Sequence, residues 1–289
     1  MSSSNSLPRL IVSVVVYTLD LPVLRQCLQS LLASAAQAAR LGRLQALELH
    51  LADNGDNRSA LSQLLDELQA PEELASCRSV LHAGHGNIGF GQGHNLIVHR
   101  QAEKPDVPEP NDIWLILNPD VFLEPDTLFT GIEWLQAHPE SVAVAPSIRD
   151  GRGHTVSACK RYPSVLDFLL RGFAPGFIRK RFKERMKRYD MADLPTDRPT
   201  PDIPVISGCF MLFRLEALLQ LQGFDPAYFL YFEDFDLAIR AHRLGTLTYL
   251  PAMIITHLGG RSARKGWRHI VMFVRSGLRF FNTHGWRWL

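Results

Sequence analysis

The chain has 289 residues, 46% of them apolar and 21% charged, with a formal net charge of +2. That length can bury a sizeable core, as one large domain or a domain with an appendage, and the composition excludes a disordered chain. The balanced charge and the lack of any recognition motif argue against nucleic acid as a partner.

The opening MSSSNSLPRL has no basic leader region. LIVSVVVY, which follows, is too short for a membrane span, and its β-branched residues predict a strand covered on both faces. After Asp20 and Pro22, LRQCLQSLLASAAQAARLG is helical in period and closes at Gly42. ALELHLAD predicts a second strand ending at Asp53, NRSALSQLLDELQA a second helix, and CRSVLHA a third strand. Helical spacing resumes in GHNLIVHRQA. KPDVPEPND is a proline-rich loop, IWLILNPD a strand that stops at Pro119, and TLFTGIEWLQAHP and SVAVAPSI a further helix and strand. This alternation predicts an α/β fold with a mostly parallel central sheet and helices on both faces. No other run reaches spanning length, which predicts a soluble cytosolic protein, with surface attachment to a membrane left open. Cys27, Cys77, Cys159 and Cys209 form no C-x-x-C pair, which fits a reducing compartment and argues against a zinc site or disulfide framework.

Beyond Gly151 the alternation breaks. RGFAPGFIRKRFKERMKRYD carries eight basic residues, TDRPTPDIP is a proline-rich connector, and VISGCFMLFR predicts one more buried strand. GFDPAYFLYFEDFDLAIRAHRLG follows, and the tail SARKGWRHIVMFVRSGLRFFNTHGWRWL mixes arginine with aromatic residues.

GHGNIGFGQGHN, from Gly84 to Asn95, contains G-x-G-x-x-G (Gly84, Gly86, Gly89). A dinucleotide fingerprint needs its glycines in the first strand–helix turn, with an acid about 20 residues on. Here two strands and two helices come first, which disfavours that reading. A plain flexible turn accounts for glycine alone. Five glycines together with Asn87, His94 and Asn95, at the start of a helix, favour a loop that lines a ligand.

In open parallel sheets, ligands bind beyond the carboxyl ends of the strands. Asp53 and Asp120 fall there. Each is a candidate helix cap. Together with the loop, Asp53 is a candidate acceptor for a pyrimidine N3–H, and Asp120 a ligand for a divalent cation on a diphosphate. In YFLYFEDFDLAIR, Glu233, Asp234 and Asp236 lie among apolar and aromatic residues. A helix beginning near Glu233 sets Asp236 and Arg240 four apart as an ion pair. Glu233 and Asp234 remain to take a proton from a hydroxyl.

In this order, VSVVVYTLD, LADNGDN, NIGFGQGHN, LNPD, SGCFMLFR, GFDPAYFLYFEDFDLAIR and THLGG resemble the family-2 inverting glycosyltransferases of the GT-A fold, and among them bacterial rhamnosyltransferases. The match runs from about Arg9 to His257. The resemblance implies a nucleotide-sugar site at Tyr17, Asp53, Asn54, Asn87, Gly89, Gly91, Asn95 and Asn118. It implies Asp234 as catalytic base beside Glu233. It also implies a divalent cation, Mg2+ or Mn2+, at Asp120 and His257. Asn118 replaces the first acid of the family's D-x-D, so only Asp120 supplies a carboxylate there and the cation is expected to bind weakly. The implied reaction is a single displacement from a nucleoside-diphosphate sugar, dTDP-L-rhamnose first among them, onto a saccharide or lipid-linked acceptor of the lipopolysaccharide core or O-antigen type.

On this reading residues 1–150 form the nucleotide-sugar half and 151–260 the acceptor and catalytic-base half of one domain. Residues 261–289 form a basic, aromatic helical tail. FIRKRFKERMKRY and VMFVRSGLRFF set cations beside large apolar side chains, as helices lying on an anionic membrane do. This predicts a cytoplasmic protein, peripheral on the inner face of the membrane. Two alternatives stay open. One is a transferase of the same fold using a galactose, galactofuranose or mannose nucleotide. The other is an inactive sugar-nucleotide-binding protein, which Asn118 favours and the Glu233–Asp234 pair opposes. A nucleotidyltransferase wants a basic glycine-rich signature near the first strand, which VVVYTLDLP lacks.

Overall fold

The computed structural model describes residues 6–104, 109, 111–259 and 266–289. Most of the proline-rich loop 104–112, the second glycine of THLGG and the stretch 261–265 lie outside them. Strand β1 (Arg9–Val16) is buried at every position from Leu10 onward, so the sheet is covered on both faces there. Helix α1 (Leu21–Arg40) follows. Asp20 accepts the Val23 N–H at its start, and Gly42, at φ +67°, turns the chain at its end. Then come β2 (Ala46–Asp53), α2 (Arg58–Glu67), β3 (Ser76–His82), α3 (Phe90–Ala102) and β4 (Ile113–Leu117). The parallel order is β3-β2-β1-β4.

Next are β5 (Val121–Leu123), α4 (Thr127–Ala137), β6 (Ser141–Asp150), β7 (Thr155–Val156), β8 (Cys159–Lys160), α5 (Val165–Gly172), α6 (Gly176–Arg181) and α7 (Lys183–Tyr189). The chain closes with β9 (Val205–Ile206), β10 (Phe210–Arg214), α8 (Leu215–Gln220), α9 (Glu233–Ala241), β11 (Thr246–His257) and α10 (Trp267–His284). The main sheet continues from β4 through β10, β6 and β11 to β5, with β7 on β6. Because β10 is antiparallel to both β4 and β6, those two run the same way, and β11 runs parallel to β6. Six of the nine strands therefore share one direction, and the sheet is mostly parallel. Strand β6 pairs with β10 and β11, so the sheet is built from both halves of the chain.

Helices α1 and α4 pack on each other and on the sheet, as do α3 and α8. The core between them is largely apolar, and one buried polar chain crosses it. The fully buried Trp114 donates its indole N–H to Ser13 (2.9 Å), whose hydroxyl meets His94 Nδ1 (2.7 Å). Burial pushes His94 down to about 3, so it is a neutral structural ring.

VISGCFMLFR departs from the expected single strand. It breaks at Ser207–Cys209: β9 pairs with β8 in a separate two-stranded sheet, and β10 enters the main one. Glycine inside an apolar run marks such breaks. The twelve-residue β11 carries Pro251 at a register shift between Leu250 and Ile254, which hides it from a reading by alternation.

Asp236 is buried between Arg240 and His284. It accepts from Arg240 Nε (2.7 Å), the expected i,i+4 pair, and meets His284 Nε2 of α10 (2.8 Å). Asp236→Ala strands both, and should lower unfolding free energy by about 3 kcal/mol in urea titrations.

Candidate active site at the carboxyl edge of the sheet

Four loops meet where β1, β2 and β4 end. At the end of β2, Asp53 is buried and accepts from Gly55 N (3.1 Å), Asn57 N (2.9 Å) and Asn57 Nδ2 (2.9 Å), so it shapes the turn into α2. An ionised carboxylate has about four lone-pair sites, which leaves room for one further donor. Asn54, also buried, donates to Gly89 O (2.8 Å) and faces His85 Nε2 through its oxygen (3.0 Å). Tyr17, just after β1, stands 61% exposed beside them. Its carbonyl accepts from Asn57 Nδ2.

The glycine loop has a more specific reason for its composition than ligand access. Asn87 folds back to accept Gly89 N–H (3.1 Å). Gly89 sits at φ +93°, where a Cβ would lie 2.4 Å from Phe229 O, and a Cβ on Gly91 would strike the Phe224 side chain. The close approach is thus made by the chain's own 224–229 segment. Asn95 is buried and grips that segment, accepting Phe224 N–H (2.9 Å) and donating to Phe224 O (2.8 Å). Phe90 N–H donates to Phe229 O (3.1 Å).

At the end of β4, Asn118 N–H donates to Cys209 O (2.9 Å), while its own Oδ1 is buried with no hydrogen-bond partner. Asp120 lies in the following turn, 3.3 Å from His257 Nε2 at the end of β11. The antiparallel β5–β11 pairing, with His257 opposite Val121, makes this meeting. Burial opposes charge on His257, but contact with Asp120 and the Cys209 thiol outweighs it and carries the ring up to about 10. Asp120 oxygen and the unpartnered Asn118 oxygen suit a divalent cation completed by phosphate and water, and His257 could add a nitrogen only by giving up the proton that Asp120 holds on it. Among the described residues no cluster of three or more histidine, cysteine or acidic side chains forms a site on its own.

Glu233 and Asp234 open α9. Before them Tyr231 and Phe232 hold left-handed backbone, φ +72° and +66°. Asp234 is half-buried and accepts Gly208 N–H (2.9 Å) and Phe235 N–H (3.0 Å). A cavity of about 520 Å³ opens beside the pair, lined by Lys160, Arg171, Tyr189, Phe168, Phe273 and His269 among others. Burial raises both carboxyls. Glu233 reaches about 8, by burial first and the Asp234 charge second. The two backbone N–H donors and the charge of Lys160 hold Asp234 back. Glu233 therefore keeps the shared proton and Asp234 is the member that ionises.

The structure brings Asp120, His257, Glu233 and Asp234 to one edge, with Asp53, Asn54 and Gly89 beside them. Sequence reasoning missed Gly208 and Cys209, which the Gly-Cys break in VISGCFMLFR signalled. It also missed Lys160, Arg171 and Tyr189, for which no local pattern exists.

No protein-family model matches the chain. It is 29% identical over 175 residues to rhamnosyltransferase WbbL of Escherichia coli K12, covering 60% of this chain and 61% of that protein. It is also 29% identical over 207 residues to N-acetylglucosaminyl-diphospho-decaprenol L-rhamnosyltransferase of Mycobacterium tuberculosis, covering 69% and 66%. The chain thus spans just under two thirds of the length of these relatives. Among solved structures, GalNAc-T7 with UDP, GalNAc and Mn2+ superposes with TM-score 0.59 at 13% identity, over 96% of this chain and 48% of that one. A mannosyltransferase of Pyrobaculum calidifontis with GDP-Man and Mn2+ gives 0.57 at 18%, over 95% and 65%. The fold is that of the GT-A glycosyltransferases, and the sequence is rhamnosyltransferase-like.

Glu233 is held protonated by the fold, so its contribution to stability is complete at acid pH and fades as pH rises towards 8. Glu233→Gln removes that loss. Urea midpoints of variant and parent should converge near pH 5 and separate by pH 9, the variant being the more stable.

Proposed function

We propose that the chain is an inverting glycosyltransferase that moves L-rhamnose from dTDP-L-rhamnose to a hydroxyl of a bacterial saccharide, lipid-linked or of the lipopolysaccharide type. The observation that carries this reading is the junction of the Asp120–His257 pair with the Glu233–Asp234 pair through Gly208 and Cys209. The names of both rhamnosyltransferase relatives support it, one of them acting on a diphospho-decaprenol acceptor.

Residues 1–150 take the nucleotide, with Tyr17 against the base and Asp53 offering its remaining lone pair to a base N–H. Asn54 and the Asn87–Asn95 segment, with Gly89 and Gly91, shape the wall along the sugar and diphosphate. Asn118, Asp120 and, once deprotonated, His257 would hold Mg2+ or Mn2+, which would neutralise charge on the departing diphosphate. Residues 151–260 supply the acceptor side. Asp234 takes the proton of the acceptor hydroxyl, whose oxygen attacks the anomeric carbon from the face opposite the diphosphate. The bond from that carbon to the diphosphate oxygen breaks, the electron pair leaves with dTDP, and a β-linked donor yields an α-rhamnoside. Neutral Glu233 spares Asp234 a second negative charge and donates a hydrogen bond into the cavity.

No described helix is long and apolar enough to cross a membrane. We assign the protein a peripheral place on the cytoplasmic face. Phe177, Trp267 and Val271 are exposed beside Arg179, Lys180, Arg181 and Arg268, a combination of apolar and cationic groups that suits anionic lipid.

Asp234→Asn should lower transfer from dTDP-L-rhamnose by about a thousandfold. Its thermal shift with dTDP and Mn2+ should match the parent's, whereas Asp120→Ala should lose that shift. The acid limb of kcat/KM should lie above the ordinary carboxylate range, because Asp234 must ionise and burial raises it. A parent protein shifted by GDP-mannose and not by dTDP-L-rhamnose assigns another donor, and near-normal turnover by Asp234→Asn removes the base assignment. Cosedimentation with vesicles of one-third phosphatidylglycerol at low salt should retain the protein. Recovery in the supernatant removes the membrane assignment.

A further inference from the structure

Two adjacent bulky residues in left-handed backbone are costly and persist only where their surroundings over-determine them. Tyr231 and Phe232 are such a pair, immediately before Glu233 and Asp234. Helix α10 supplies several of the contacts that hold them, beside Phe168 and Phe235. Ser276 Oγ donates to Leu230 O (2.8 Å), and the Tyr231 hydroxyl meets His269 Nδ1 (3.0 Å). The Phe232 ring packs against Phe273 and Phe280, with centroids 5.5 and 5.3 Å away. Farther along, Arg279 reaches Asp225 (2.7 Å) and lies over Tyr228, and His284 reaches Asp236. One helix thus grips the chain on both sides of the acidic pair, and its residues His269, Ile270 and Phe273 also wall the cavity beside that pair.

We propose that α10 is a positioning element of the reaction, and that the His269–Tyr231 hydrogen bond is its latch on the acceptor side. The bond fixes the tyrosine ring as a wall of the cavity and keeps the Tyr231–Phe232 turn in the conformation that delivers Asp234. This rests on the reading of Asp234 as the base. His269 itself takes no proton from substrate. It acts through Tyr231, and so controls the fit of the acceptor and the placement of the carboxylate while leaving the nucleotide side untouched.

The test compares His269→Ala, Tyr231→Phe, their double variant and His269→Gln, whose amide can still bond the hydroxyl. Leu278→Ser, on the exposed side of α10, is the control. With dTDP-L-rhamnose and a synthetic N-acetylglucosaminyl-diphospho-polyprenol, His269→Ala and Tyr231→Phe should each lose about ten- to a hundredfold in kcat over acceptor KM. The double variant should be no worse than either single one, because both remove the same bond. His269→Gln should recover most of the loss, and Leu278→Ser should match the parent. The thermal shift with dTDP and Mn2+ should be unchanged throughout.

Amide hydrogen exchange over 228–236 should quicken in His269→Ala and Tyr231→Phe with the β1–β4 strands unaffected. This readout needs no substrate, so it stands even if the parent transfers nothing from the chosen donor, an outcome that would fault the proposed activity alone. Unchanged exchange over 228–236, additive losses in the double variant, or a matching loss of the dTDP shift would overturn the latch. Near-normal turnover by Asp234→Asn would overturn the base it is said to position.

Discussion

Between Ile206 and Phe210 the backbone leaves a small two-stranded sheet and enters the large one, and the three residues that make the crossing each bond a different part of the site. Ser207 N–H donates to Ala158 O, Gly208 N–H to the Asp234 carboxylate, and Cys209 O accepts from Asn118 N–H. The Cys209 thiol touches His257 as well. The proposed base and the proposed cation site, far apart in the chain, are thereby set at a spacing fixed by adjacent peptide units, which is as rigid a ruler as a protein has. Glycine at 208 is part of this. A Cβ there would come within 3.0 Å of the Asp234 Cβ, so the short approach that lets the backbone hold the carboxylate requires its absence.

The electrostatics follow from that geometry. Two neighbouring carboxyls with little water cannot both ionise cheaply. The backbone donors fall on Asp234 and leave Glu233 Oε2 without a partner. The asymmetry is built first from main-chain amides and then from the charge of Lys160, with burial still raising the carboxyl above its ordinary value.

Much of this was legible in the residues. The β-branched run of β1, the alternation through β6 and the i,i+4 spacing of Asp236 and Arg240 are local patterns, and the local elements they predict are present. The ordered motifs also pointed to Asp120, His257 and Asp234 as one group. Other features were not legible because their causes are not local. β11 escaped notice because Pro251 interrupts it at a register shift. The glycine-rich loop suggested a ligand, whereas Gly89 and Gly91 are small because Phe229 and Phe224 lie against them, a reason written 130 and more residues downstream. Lys160, Arg171 and Tyr189 reach the cavity through α5, α7 and the small sheet, whose arrangement no periodicity encodes.

One main-chain contact has a wider consequence. The amide of Phe90 ends on the carbonyl of Phe229, and together with the Asn95 grip on Phe224 it ties the wall proposed for the nucleotide to the segment that leads into the turn proposed to deliver the base. Tyr231 and the rim of the cavity lie just two residues beyond Phe229, so the glycine-rich loop and the acidic turn are framed by one continuous stretch of backbone.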